Sequence, residues 1–144
     1  MTATRWRRPR TLGAGDWRLF AEAWWTLLWL QPASRVLPFA FLERLVTSRG
    51  RLGETRPGAS AQAERVGVAV ARAERYQPWR VRCLGRSLTL QLLLDRRGIT
   101  SDMRFGVRKE GAALQAHAWV EHEGRPLAES PATLGAYQPL ERAP

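Results

Sequence analysis

The chain has 144 residues, 44% of them apolar, which suits one domain with a real core. Its formal net charge of +10 is carried almost wholly by arginine, Lys109 being the only lysine, and leaves nucleic acid, anionic membrane and acidic peptide open as partners. One cysteine, Cys83, excludes an internal disulfide, and with no secretory leader the chain reads as cytosolic. Asp16 and Glu22 interrupt the early apolar run and no small-residue cleavage site follows it, so it is not a signal peptide. Residues 23–30, the longest apolar stretch, fall far short of the ~20 residues that span a bilayer.

Residues 1–14 read as a basic arm. A helix is expected from Asp16 as N-cap, through D-W-R-L-F-A-E-A-W-W-T-L-L-W-L, with Pro32 as its stop. Its apolar residues cover most of the circumference, so two buried faces are expected. A second helix is expected over 35–48, then a turn-rich linker or mobile loop over 49–60. A third helix, 61–76, carries Val66, Val70 and Ala73 on one stripe and ends at Gln77-Pro78-Trp79. A fourth runs over 83–96, with Gly98 past its end. Beyond Gly98 the period changes. M-R-F-G-V-R and A-H-A-W-V-E alternate as strands with K-E-G as a turn between them, and R-P-L-A-E adds a short third strand. The tail from Pro131 carries no signal. Helices followed by a small antiparallel sheet make an α+β fold.

Cys83 falls at the start of the fourth helix, where free N–H groups and the helix dipole favour a thiolate. Arg80, Arg82 and Arg86 add positive charge, and the Cys83 N–H could serve an oxyanion. A small buried hydrophobe is the competing reading. Of the two histidines, His117 lies within a strand, on the face of Trp119 and Glu121; His122 lies at the turn and is expected to be solvated. The turn length decides which acid meets His117. A two-residue loop, Glu123-Gly124, sets His117 opposite Ser130. A three-residue loop, His122-Glu123-Gly124, with a bulge at Gly124, sets it opposite Glu129. The second is the expected hairpin, with Glu129 orienting the imidazole and Glu121 as the alternative.

A helix-borne cysteine, a histidine on a strand and an acid on the next strand follow the order of the papain and transglutaminase group. In detail, C-L-G-R-S-L-T-L-Q-L-L-L-D-R-R-G-I, then M-R-F-G-V-R and A-H-A-W-V-E-H-E-G-R-P-L, resembles the lasso-peptide leader peptidases, the protease half of the split B protein, within the transglutaminase-like superfamily. The resemblance covers about residues 76–130, and the Trp-rich first helices are similar to that family's N-terminal region. It implies a cysteine peptidase core over 61–131, a Trp-rich helical region over 15–48 and a tail over 132–144. It implies Cys83 as nucleophile, His117 as base and acid, and Glu129 where the family usually shows aspartate. Gly85 stands where proline often follows Cys-Leu. Gln77, six residues before Cys83, has the spacing of the oxyanion-hole glutamine in papain-like proteases. The implied reaction is thioester-mediated removal of a leader peptide from a ribosomal precursor, without metal or cofactor. The implied partners are a separate leader-recognition protein and an ATP-dependent cyclase; Trp17, Trp24, Trp25 and Trp29 are the candidate docking surface for the first, with core packing as the competing reading. A transglutaminase or amidase on the same fold, a basic nucleic-acid-binding domain, and a protein held at a membrane surface by the Trp-rich helix are the other readings. Scattered arginines and the lack of a nucleic-acid motif speak against the second of these.

Overall fold

The computed structural model describes residues 13–46 and 57–140. Most of the expected basic arm and of the expected linker lie outside them. Helix α1 (Ala14–Val36) starts earlier and ends later than its sequence suggests. Gly13, not Asp16, takes the N-cap; Asp16 sits in the first turn and receives Arg65 Nη2 at 2.8 Å. Pro32 lies inside the helix. A proline removes its own N–H from the ladder, and its ring crowds the carbonyl four residues back. The turn around it is held by Ser34 Oγ donating to Gln31 O at 2.7 Å and Leu37 N–H to Ala33 O at 2.8 Å. Buried Leu27, Leu30 and Gln31 hold the same segment against the rest of the fold.

Helices α2 (Phe39–Val46), α3 (Ala59–Arg75) and α4 (Cys83–Arg96) follow. The last has the bounds expected from its sequence, and Gly98 takes the left-handed conformation (φ 68°) expected beyond it. α4 is the centre of the molecule. Residues 87–94 are all buried, as an apolar helix walled in on several sides must be. One apolar cluster joins it to α1 and α3 through Leu27, Val66, Val70, Leu90 and Leu93. A second joins it to α1, α2 and the sheet through Leu30, Leu42, Leu88, Leu92 and Met103. Glu22 of α1 clamps the end of α4, with Arg97 Nη2 at 2.6 Å and Arg96 Nη1 at 3.4 Å. Burial pushes the Glu22 carboxyl up, but the Arg97 hydrogen bond and the two guanidinium charges more than offset this and hold it below the usual carboxylate range.

The sheet contains β1 (Asp102–Glu110), β2 (Ala113–His122), β3 (Arg125–Leu127) and β4 (Gln138–Pro139), in the order β3-β2-β1-β4, with every pairing antiparallel. Glu110 pairs with Ala113, so the first hairpin turns on Gly111-Ala112 and not on K-E-G. His122 pairs with Arg125, so the second loop is the two residues Glu123 and Gly124, at φ 50° and 74°. The expected three-residue bulged loop is therefore wrong. Both positive φ values match a tight primed turn, whose twist suits flanking strands. The tail, silent in the sequence, forms a short helix α5 (Pro131–Leu134) and the edge strand β4, and Leu140 N–H closes on Phe105 O at 2.8 Å. No helix among the described residues is long and apolar enough to cross a membrane.

Candidate active site

Cys83 is the first residue of α4, partly exposed, and no side chain caps the helix there. The open first turn follows from the sequence, since Arg82 at the N-cap has no acceptor to offer. Arg86 and Ser87 lie three and four residues on, on the same helix face. Ser87 Oγ donates to Ala118 O at 3.0 Å and so ties that face to the residue after His117. Arg86 makes an ion pair with Glu129 and a second with Glu74 at 3.3 Å.

Glu129 in turn holds His117. Its Oε1 lies 2.9 Å from His117 Nε2, with both side chains largely shielded from water. The imidazole stacks on Tyr137 at 5.0 Å between centroids and on Trp119 at 6.1 Å. Arg108 covers Tyr137, its guanidinium carbon 5.1 Å from the ring centroid. Gly106, paired with His117 across the hairpin, leaves the space these rings need: a Cβ there would come within 2.9 Å of Trp119 and 3.0 Å of Tyr137. With Nε2 committed to a carboxylate, Nδ1 is the nitrogen left to exchange a proton with a nucleophile. Cys83 Sγ forms no hydrogen bond among the described residues. Nucleophile–base pairs are often loose before substrate binds.

Glu129 thus meets His117 by a route the strand pattern does not contain. With a two-residue loop, a straight β3 would set Ser130 opposite His117. The pairing stops at Leu127, and Ala128 adopts φ 58°. That left-handed residue turns the chain and swings Glu129 round to the imidazole. Glu121 is engaged elsewhere, accepting from Trp119 Nε1 at 3.0 Å and pairing with Arg104 at 3.3 Å.

Three other expected positions read differently in place. Gln77 gives one amide N–H to Trp24 O at 3.0 Å, which ties it to α1. His122 is not solvated: it is 4% exposed, with Nδ1 2.7 Å from Thr100 O. A one-residue change of loop length moves it from the turn into a paired strand position on the core face. His122→Ala is expected to cost about 2 kcal/mol in stability, from the lost volume and the unpaired Thr100 carbonyl. Urea unfolding would register this, while the catalytic rate of the folded protein should stay within about twofold; a midpoint equal to wild type would show the histidine to be dispensable. Of the four tryptophans, Trp17, Trp25 and Trp29 are exposed, while Trp24 packs against the core and donates Nε1 to Tyr76 O at 3.0 Å.

Hollows of about 230 Å³ beside His122 and about 310 Å³ between α1 and α3 lie away from this cluster and touch neither Cys83 nor His117. A sequence profile of the transglutaminase-like superfamily matches residues 26–142. The chain belongs to that superfamily, whose members typically work through cysteine chemistry, and its helices and small antiparallel sheet are those of a minimal core of that type. No curated protein and no solved structure matches it significantly.

Proposed function

We propose that the protein is a cysteine peptidase that removes the leader from a ribosomally made lasso-peptide precursor. The observation that carries this reading is the Glu129–His117 hydrogen bond, joined through Arg86 to the helix that begins with Cys83. Within the superfamily, the resemblance of the C-L-G-R-S-L and H-A-W-V-E motifs to the leader peptidases supports this activity. Cys83 attacks the carbonyl that joins leader to core and forms a carbon–sulfur bond. His117 gives a proton to the departing amine. Water, losing a proton to His117, then opens the thioester and releases the leader as a carboxylic acid. The core keeps a free α-amine, which an ATP-dependent cyclase would join to an acidic side chain.

Delivery of the leader by a separate recognition protein belongs to this reading. Exposed Trp17, Trp25 and Trp29 offer it an aromatic surface on α1. The cytoplasm, where precursors are made, is the compartment this reading requires. The test is incubation of the precursor encoded beside the gene with the enzyme and its leader-binding partner, followed by mass spectrometry. A single cut at the leader–core junction, absent with Cys83→Ala, is expected. No cut, with precursor and partner shown to bind, would point to transfer of another acyl group by the same residues. An undiminished cut by Cys83→Ala would end the cysteine peptidase reading.

A further inference from the structure

Glu129 lies in the link between β3 and α5, beyond the last paired residue, Leu127, and before Pro131, so no strand pairing fixes its side chain. Among the described residues its carboxylate has two side-chain partners, His117 and Arg86, and both meet the same oxygen, Oε1. A glutamate on such a link has several torsions to settle. The imidazole alone cannot settle them, because it is the group to be oriented. Arg86 supplies the fixed reference. It sits on α4, just before the run 87–94 that is buried throughout, and its guanidinium is held at a second point: Nη1 meets Glu74 Oε2 of α3 at 3.3 Å while Nη2 meets Glu129. A guanidinium is planar, so an acid on one arm settles where the other arm points.

We infer that Arg86 is a positioning residue: with Glu74 setting its plane, it holds Glu129 Oε1 at His117 Nε2 and so fixes the imidazole in the tautomer whose Nδ1 is free to take a proton. In this role Arg86 acts through Glu129 alone, and the kinetic part of the inference rests on the peptidase reading of Cys83 and His117. The tautomer follows from the partner. An ionised carboxylate only accepts, so in the neutral ring Nε2 carries the hydrogen and Nδ1 the lone pair. His122 is the opposite case: its Nδ1 lies 2.7 Å from the Thr100 carbonyl, which also only accepts, so there Nδ1 carries the hydrogen. The chain has two histidines, held in opposite tautomers, and the second is an internal standard for the first. Damage to the fold disturbs both, whereas loss of positioning by Arg86 disturbs His117 only.

The test reads the isotope-labelled histidine ring nitrogens of the full-length protein by NMR, at about pH 8.5, where free imidazole is neutral. Wild type should show the hydrogen on Nε2 of His117 and on Nδ1 of His122. Arg86→Met removes the charge and the fork; Arg86→Gln stays polar but is too short to meet Glu129. Each is expected to turn the His117 signals into an average of both tautomers, with His122 unchanged. In precursor cleavage each should lower kcat about a hundredfold with KM little changed, the scale of loss when a catalytic group is displaced by about 1 Å. Arg86→Lys, which keeps a cation for Glu129 without the fork, should recover part of the loss. Adding Arg86→Met to Glu129→Gln should cost nothing further, since the two act through one contact. Either neutral variant suffices if only one folds. A single, unchanged His117 tautomer in the neutral variant would overturn the inference, and so would wild type with the hydrogen on His117 Nδ1. A double variant slower than Glu129→Gln by the full effect of Arg86→Met would place Arg86 outside the Glu129 contact and overturn it too, as would an equal disturbance of His122, which would make Arg86 a support of the fold. Wild type that shows these tautomers but cuts no precursor would defeat the peptidase reading and leave the positioning of His117 by Arg86 standing.

Discussion

Glu129→Gln is expected to lower kcat by roughly a thousandfold or more, with KM little changed. The carboxylate oxygen that meets His117 Nε2 also takes Arg86. A carboxylate accepts from both and its charge stabilises the imidazolium; an amide oxygen in the same place accepts without that charge. An amide turned to put its NH2 there instead would donate to Nε2 and select the tautomer with the proton on Nδ1. That tautomer cannot take a proton from the nucleophile. The comparable change in a serine protease triad costs about 10⁴-fold in kcat for the same reason. Glu121→Gln, in contrast, touches Trp119 and Arg104 and should stay within about threefold of wild type. Precursor cleavage under saturating conditions measures both. The opposite ranking would show that Glu121 orients the imidazole during turnover.

Gly85→Ala should destabilise the protein by about 2–3 kcal/mol, against the gain of about 1 kcal/mol that the same change brings in an exposed helix. The added methyl would overlap the Gln31 oxygen, and the only relief is to move a buried amide off the Arg82 N–H. The two positions should therefore be strongly non-additive. With Gln31→Ala in place, Gly85→Ala should become neutral or stabilising in urea unfolding. A stabilised single variant would mean that Gln31 does not occupy this space. Proline also carries a Cβ, so the proline often seen after Cys-Leu could not coexist with Gln31 in this packing. Glycine at 85 leaves the space that the glutamine at 31 occupies.

That pairing marks the limit of what the sequence discloses. Cys83 at the first position of α4 and His117 within β2 were legible, because helix and strand signals act over a few neighbours. The α+β order was legible for the same reason. The path to Glu129 was not. Hairpin length misled, since Glu123 accepts a positive φ that the sequence signals only for Gly124, and the left-handed Ala128 leaves no trace in composition. Pro32 misled too, because a stop signal yields when residues on both sides of it are packed. Arg86 was visible as nearby charge, but its bond to Glu129 joins residues 43 apart. Tyr137 reaches His117 through a two-residue edge strand too short to show any period. Gln31 had one available sign, a lone polar residue in an otherwise apolar stretch of helix, and nothing in the sequence said what it faced.

Ala128 carries a further consequence. A non-glycine residue in the left-handed region costs roughly 1–2 kcal/mol, and glycine would relieve it. Glycine would also widen the arc through which Glu129 can swing. Alanine confines that arc, so the carboxylate is ordered when the chain folds. The strain at one backbone dihedral is in this sense an entropy loss moved in time: it is met once per molecule, at folding, and under the proposed mechanism every later turnover would start from a histidine whose partner is already in place.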